Sequence, residues 1–278
     1  RRLGKISSLR IICGMLRTMI YVGVYIGWGI SIYKRVIQKS VRNVLIFIAE
    51  LIIFWFVVRT TKYFFTMDNQ IARYLWYSYY IPMLFIPVAV LQAAFFLGKS
   101  EEYRLPKWLK GVYIPTAVLV LLVLSNDLHQ LVFSFPAGSA WSDSHYTYGW
   151  GYYVVLVWEV VCALTAFVLM IYKCRHSQKK KYLPLFGIGA AVLYAVLFIS
   201  GVAWVQEIGG DITAVLCLLF VGILESCVRC GLIQTNTGYD QLFEVCTLGA
   251  QITDQNYNVC YASANAMPLS KKTMKDAV

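Results

Sequence analysis

Seven apolar stretches, each about as long as a helix needs to cross a bilayer, dominate this chain: roughly residues 11–33, 44–58 with an extension to 65, 74–97, 108–124, 151–172, 182–205 and 212–233. A helix rises about 1.5 Å per residue, so about 20 apolar residues cover a hydrocarbon layer about 30 Å thick. Within hydrocarbon every backbone N–H and C=O must find its partner inside the protein, which leaves helices and closed barrels as the available folds. Barrel strands alternate in segments of about 10 residues, whereas these stretches are longer and continuous. The composition agrees: with 59% apolar and 14% charged residues, the chain carries more apolar surface than a water-soluble core hides. The first stretch also exceeds a signal peptide's apolar region, and no small-residue cleavage site follows it. The expected fold is an all-α integral membrane protein: a seven-transmembrane helix bundle over 11–233, then a short cytoplasmic segment over 234–278.

Lys and Arg in the short loops predict the orientation. Lys34, Arg35, Lys39 and Arg42 lie between spans one and two; Lys99, Arg104, Lys107 and Lys110 between three and four; Lys173, Arg175, Lys179, Lys180 and Lys181 between five and six. Segments 126–150 and 206–211 carry neither Lys nor Arg. The intervening segment between spans two and three carries Arg59, Lys62 and Arg73. The alternation still places the N-terminus outside and the C-terminus in the cytoplasm, although the N-terminal Arg1, Arg2, Lys5 and Arg10 then sit outside, against the rule. The net charge of +11 is then a topology signal and an attraction to anionic inner-leaflet lipid. The basic residues are dispersed among loops, so no nucleic-acid partner is expected.

Catalytic and cofactor signatures are absent from the sequence. It holds no phosphate-cradling glycine loop, GxSxG or HExxH motif, and the last span lacks the lysine a retinal Schiff base requires. All eight cysteines fall in spans or on the cytoplasmic side, which fits reduced thiols used as small apolar residues. A single CxxC, Cys227 and Cys230, without a second pair or a nearby His is a poor zinc signal, and neither metal nor cofactor is expected.

Intramembrane ionisable residues are costly and usually face a bundle interior or a wet cavity. Arg17 lies near an outer end and can snorkel, and Glu225 is explained by an i,i+4 pair with Arg229. Glu50 and Glu159 are deeper. Each is either a hydrogen-bonded packing residue or a carboxyl that senses a proton or binds a ligand. Gly23 and Gly27 form a GxxxG spacing expected to pack inside the bundle rather than at a dimer seam, and Pro82 and Pro87 predict a bend in span three.

The sizeable outer segment, 126–150, is rich in aromatic residues and contains Asp127-Leu-His129 and Asp143-Ser-His145. In an extended backbone residues two apart point the same way, so each pair could offer a carboxylate and an imidazole to one ion. An interfacial aromatic belt with polar turn residues, Trp150 among them, accounts for the same pattern and is the preferred reading. Asp127, His129 and Trp150 therefore stand beside Glu50 and Glu159 as candidate ligand or sensing residues.

Four segments resemble a known family in their order and spacing: SNDLHQLVFS at 125–134, TYGWGYYVVLVW at 147–158, the basic break at 173–181 and GDITAVLCLLFVGILES at 210–226. Together they are similar to the N-terminal seven-transmembrane sensor region of bacterial histidine kinases. Residues 237–246 read as a short helix, and LGAQITDQNYNVCYASANAMPL at 248–269 as strand, tight turn and strand, similar to the start of a PAS-type domain. The resemblance implies a sensory input in the bacterial inner membrane that relays an extracellular or intramembrane signal through span seven to a cytoplasmic output. The expected partners are the bilayer, a second copy of the chain, that output and a signal of undefined nature. Through Val278 neither a phosphoacceptor motif nor an ATP-binding region occurs, so no enzymatic activity is expected of this chain. A proton-coupled or small-solute transporter using Glu50 and Glu159 is the competing reading, although no similarity between halves is visible.

Overall fold

A computed structural model describes residues 2–64, 69–97, 99, 103–136, 146–173, 182–203, 205, 212–229, 233, 248–253, 258–263 and 265–267. The apolar stretches fold as helices: α1 (Arg2–Arg35), α2 (Lys39–Phe64), α3 (Asn69–Tyr77), α4 (Tyr80–Phe96), α5 (Lys107–Gly111), α6 (Tyr113–Leu124), α7 (Asn126–His129), α8 (Trp150–Lys173), α9 (Tyr182–Ile199) and α10 (Ile212–Arg229). Five helical segments, Gly14–Arg35, Lys39–Lys62, Gln70–Phe96, Lys107–Leu124 and Trp150–Lys173, are long and apolar enough to cross a membrane. A shorter apolar helix covers Pro184–Phe198.

The prolines explain the breaks. Pro82 has no N–H to return to the carbonyl of Ser78, and its ring crowds that carbonyl. The chain turns at Ser78 and Tyr79, and the Ser78 oxygen accepts from Ile81 N–H at 3.2 Å instead. Span three is thus interrupted ahead of Pro82, while Pro87 is accommodated within α4. Pro115 acts likewise toward Gly111, and α5 gives way to α6 at Val112.

Helix α4 is the hub, packing against α2, α6 and α8, while α1 packs on α2 and α9 on α10. The buried face of α10 repeats at three- and four-residue spacing, Ala214, Cys217, Val221, Leu224 and Val228, and joins one core with Tyr25, Trp28 and Ile32 of α1. Cys162, Cys217 and Cys227 are buried thiols. Outward-facing Leu16, Ile20, Val157, Leu164, Val168 and Leu193 present apolar surface where a bilayer would lie.

Two placements differ from the sequence expectation. Gly29, not Gly23 or Gly27, meets α2, its Cβ position lying 3.6 Å from the Ala49 Cβ. Gly27 precedes Gly29 by two residues, about 200° around a helix, so the GxxxG face points away from the bundle and meets nothing within 4 Å. Glu50, expected to face the interior, also lies on an exposed face, because the inward stripe of α2 is set by Leu45, Ile48, Ile52 and Phe56. The side chain of Arg17 lies outside the described residues.

Beyond α10, β3 (Gln251–Thr253) pairs antiparallel with β4 (Val259–Ala262), with an irregularity between Ile252 and Thr253. Buried Ser263 closes this hairpin, its Oγ donating to Leu248 O at 2.6 Å and accepting from Ala250 N–H at 3.0 Å. The expected short helix over 237–246 lies outside the described residues.

Candidate functional site

Two polar assemblies occupy opposite ends of the bundle. The first forms where α6 ends. Ser125 turns the chain, α7 makes one helical turn, and Gln130 stops it in the left-handed conformation (φ 49°), its N–H returning to Asn126 O at 2.7 Å. β1 (Phe133–Ser134) then pairs antiparallel with β2 (Thr147–Tyr148) ahead of α8. Gly149 is required at this junction: a Cβ there would sit 2.1 Å from Leu131 O.

Asn126 organises the assembly. Its carboxamide is fully buried and uses both donors and its acceptor oxygen: Nδ2 donates to Phe133 O at 2.9 Å and Tyr77 Oη at 3.2 Å, while Oδ1 accepts from Val132 and Phe133 N–H, each at 3.0 Å. One side chain thus satisfies backbone groups that the short β1 ladder leaves open. Tyr77 continues the network, donating to Asp127 Oδ1 at 2.8 Å, and Arg73 pairs with Asp127 Oδ2 at 2.8 Å. The predicted residue Asp127 therefore ties α7 to α3.

His129 turns elsewhere. Its Nδ1 accepts from Leu131 N–H at 3.0 Å, which leaves the proton on Nε2, 3.1 Å from Leu122 O and 3.2 Å from Ser125 Oγ. Because Asp127 and His129 sit on a helical turn rather than an extended strand, they do not converge on one ion. Asp143 and His145 lie outside the described residues. Trp150 begins α8 and is 60% exposed.

An aromatic layer lies against this network. Phe133 is fully buried among Trp76 (ring centroids 4.5 Å apart), Tyr80 (5.7 Å), Tyr146 (5.4 Å) and Tyr152 (6.0 Å), and Tyr148 stacks on Tyr152 at 4.1 Å. Glu159 follows Tyr152 by two turns on the same side of α8, within electrostatic reach of Tyr80 and Tyr152. Among the described residues no hydrogen bond or ion pair engages its carboxyl. Glu50 is likewise without a hydrogen bond or ion pair among the described residues. It lies in α2, remote in sequence from the aromatic layer and outside its ring contacts.

At the opposite end the links run between helices. Arg35, closing α1, grips Glu225 of α10 through both guanidinium nitrogens, Nη1 to Oε1 at 2.8 Å and Nη2 to Oε2 at 2.7 Å. Arg229 Nε adds a third contact to Oε1 at 3.0 Å. The local pair with Arg229 is thus present, but the fork from Arg35, 190 residues away in sequence, is the dominant contact. The terminal carbonyls of α4 are capped from two sides: Gln38 Nε2 donates to Phe96 O at 2.9 Å, and Lys173 Nζ to Ala94 O at 2.9 Å and Phe95 O at 2.8 Å. A cation at a helix C-terminus opposes the negative end of its dipole. Between the two ends, Trp158 Nε1 of α8 donates to Thr116 of α6 at 3.1 Å, Tyr113 of α6 donates to Gln92 of α4, and Thr60 of α2 donates to Thr18 of α1 at 2.9 Å.

These contacts make two saturated or cross-linked helix ends and, among the described residues, no group of three metal-ligating side chains. Searches of curated proteins and of solved structures find no match. A scan against protein families matches residues 13–228 to the N-terminal 7TM region of histidine kinase. That match runs from α1 nearly to the end of α10, through both polar ends, and nothing in it supports a transporter. The chain is a multi-pass membrane protein and belongs to the family of N-terminal seven-transmembrane regions of histidine kinases, the membrane sensory input of those proteins.

Proposed function

We propose that the Asn126–Asp127 assembly is the sensing end of this input and that α10, latched to α1 by Arg35–Glu225, carries its state to a cytoplasmic output. The observation that carries the relay is the bidentate Arg35–Glu225 contact, since it joins the first helix to the last described one. In this reading α9 and α10 are the sixth and seventh spans; at 18 residues each they are about 27 Å long, close to the hydrocarbon thickness. The Arg35 end, with Lys34, Lys39, Lys99 and Lys173, faces the cytoplasm of a bacterial inner membrane, and the Asn126 end faces outward. Residues 11–233 then form the sensor and 234–278 a linker with the first hairpin of a PAS-like domain, favoured by the antiparallel pairing of β3 and β4. The receptor works as a homodimer.

Asp127 and the aromatic layer, flanked by Trp150, are the first candidates for contact with a signal. His129 has a structural part, fixing the turn after α7. Glu159, which underlies the aromatic layer, would report events there into the bilayer. The test is a fusion of this chain to a cytoplasmic histidine-kinase reporter. Tyr77→Phe and Asp127→Asn each loosen α3 from α7 and should shift basal reporter phosphorylation while membrane levels stay normal. Unchanged phosphorylation from both variants would refute the sensing role of this end.

A further inference from the structure

Glu50 stands at the middle of its helix, eleven residues after Lys39 and twelve before Lys62, the ends of that membrane-crossing segment. It is exposed, and its neighbours on the same face are Asn43, Phe47, Phe54 and Val57, all exposed at three- and four-residue spacing. A carboxyl at the bilayer midplane facing acyl chains has no donor or acceptor within reach, and such residues rarely face lipid. Something polar must therefore cover this face inside the membrane.

The adjacent surface of α1 is open at the same depth. Thr60 bonds to Thr18, and Gly29 lies against Ala49, so the antiparallel register sets Glu50 level with about Trp28, next to Gly27. Gly23 and Gly27 point outward with nothing within 4 Å, so a neighbouring helix could approach the α1 backbone closely there.

We propose that the outward face of α2 around Glu50, with the adjoining open face of α1, is the intramembrane surface through which two copies of this chain pair. The self-complementarity of the carboxyl selects a second copy. Across a two-fold axis Glu50 meets Glu50, and a carboxylic acid O–H on one side donates to the carboxyl oxygen on the other; no different residue type is needed to satisfy it. The inference sharpens the pairing proposed above and rests on the membrane placement given there.

The full chain in native membranes tests it. Phe47→Cys and Phe54→Cys, flanking Glu50, are treated with a membrane-permeant bifunctional maleimide. Val157→Cys on the exposed face of α8 is the control, and the unmodified chain supplies the native-thiol background. The α2 variants should give dimer-sized products well above that background and Val157→Cys should not. Glu50→Leu in the Phe54→Cys chain should lower dimer formation about three- to fifteenfold, the range of one interhelical hydrogen bond in a membrane bundle, and Glu50→Gln, which can still pair amide to amide, should retain it. Glu50 makes no hydrogen bond or ion pair with the rest of the described chain, so both variants should insert at normal levels. Dimers linked through Val157→Cys instead would move the pairing to another face and overturn this surface while leaving pairing intact. Absence of any dimer, or products containing only a different protein, would overturn both, and the sensing role remains testable separately through Tyr77.

Discussion

The two ends of the bundle are held by different kinds of bond. At the Asn126 end the polar contacts are mostly short-range in sequence: Asn126 to Val132 and Phe133, His129 to Leu122 and Leu131, β1 to β2. At the Arg35 end they span the chain, joining residue 35 to 225, 38 to 96 and 173 to 94. The first end is a small folded cap that sets its own shape and touches the rest through Tyr77 and Arg73. The second has little local structure and instead registers where separate helices lie relative to one another. In the function proposed above, the first property suits a detector and the second a transmitter, and the bundle places the two at opposite ends.

If that contrast is right, damage to the cap should cost stability and damage to the latch should cost communication. The largest stability effect is expected at Gly149. Ala there would force its Cβ onto Leu131 O, break the Gly149 N–H bond to Val132 O, and cost about 3 kcal/mol, as overpacking against immovable backbone does. Denaturation of the detergent-solubilised protein in SDS would measure it, and a wild-type transition would mean that the cap is not rigid. Asn126→Ala should follow at about 2 kcal/mol, because it strands the N–H groups of Val132 and Phe133 in a buried setting. Hydrogen exchange at those two amides should rise with it, while exchange in α10 stays unchanged.

How much of this was legible in the sequence follows the same division. Local features were readable: five of the expected spans, the proline bend, and the two strands that pair as β3 and β4. The role of Asn126 is carried only by its place: an Asn just after an apolar helix can bond nearby backbone, but nothing in the sequence says which groups it meets. Long-range contacts were hidden. Glu225 read as a local partner of Arg229 because nothing in the sequence brings residue 35 to it. Glu50 read as interior because the apolar residues around it encircle α2, and only the packing of α1 and α4 decides which side is in. Pro82 predicted a bend, and the break falls one turn earlier because the carbonyl it deprives belongs to Ser78.

The smallest stability change and the most direct test concern Glu225. With both partners partly exposed, at 22% and 20%, Glu225→Gln should cost only about 1 kcal/mol, nearer a surface pair than a buried one. Its effect on signalling should be larger. In the kinase-reporter fusion, phosphorylation is measured for the wild type, Tyr77→Phe, Glu225→Gln and the double variant, each normalised to membrane level. The account predicts that the shift produced by Tyr77→Phe disappears in the Glu225→Gln background, because the cap then has no latched helix to move. The same shift in both backgrounds would show that the Arg35–Glu225 latch does not carry the state of the Asn126 end, and would contradict the account.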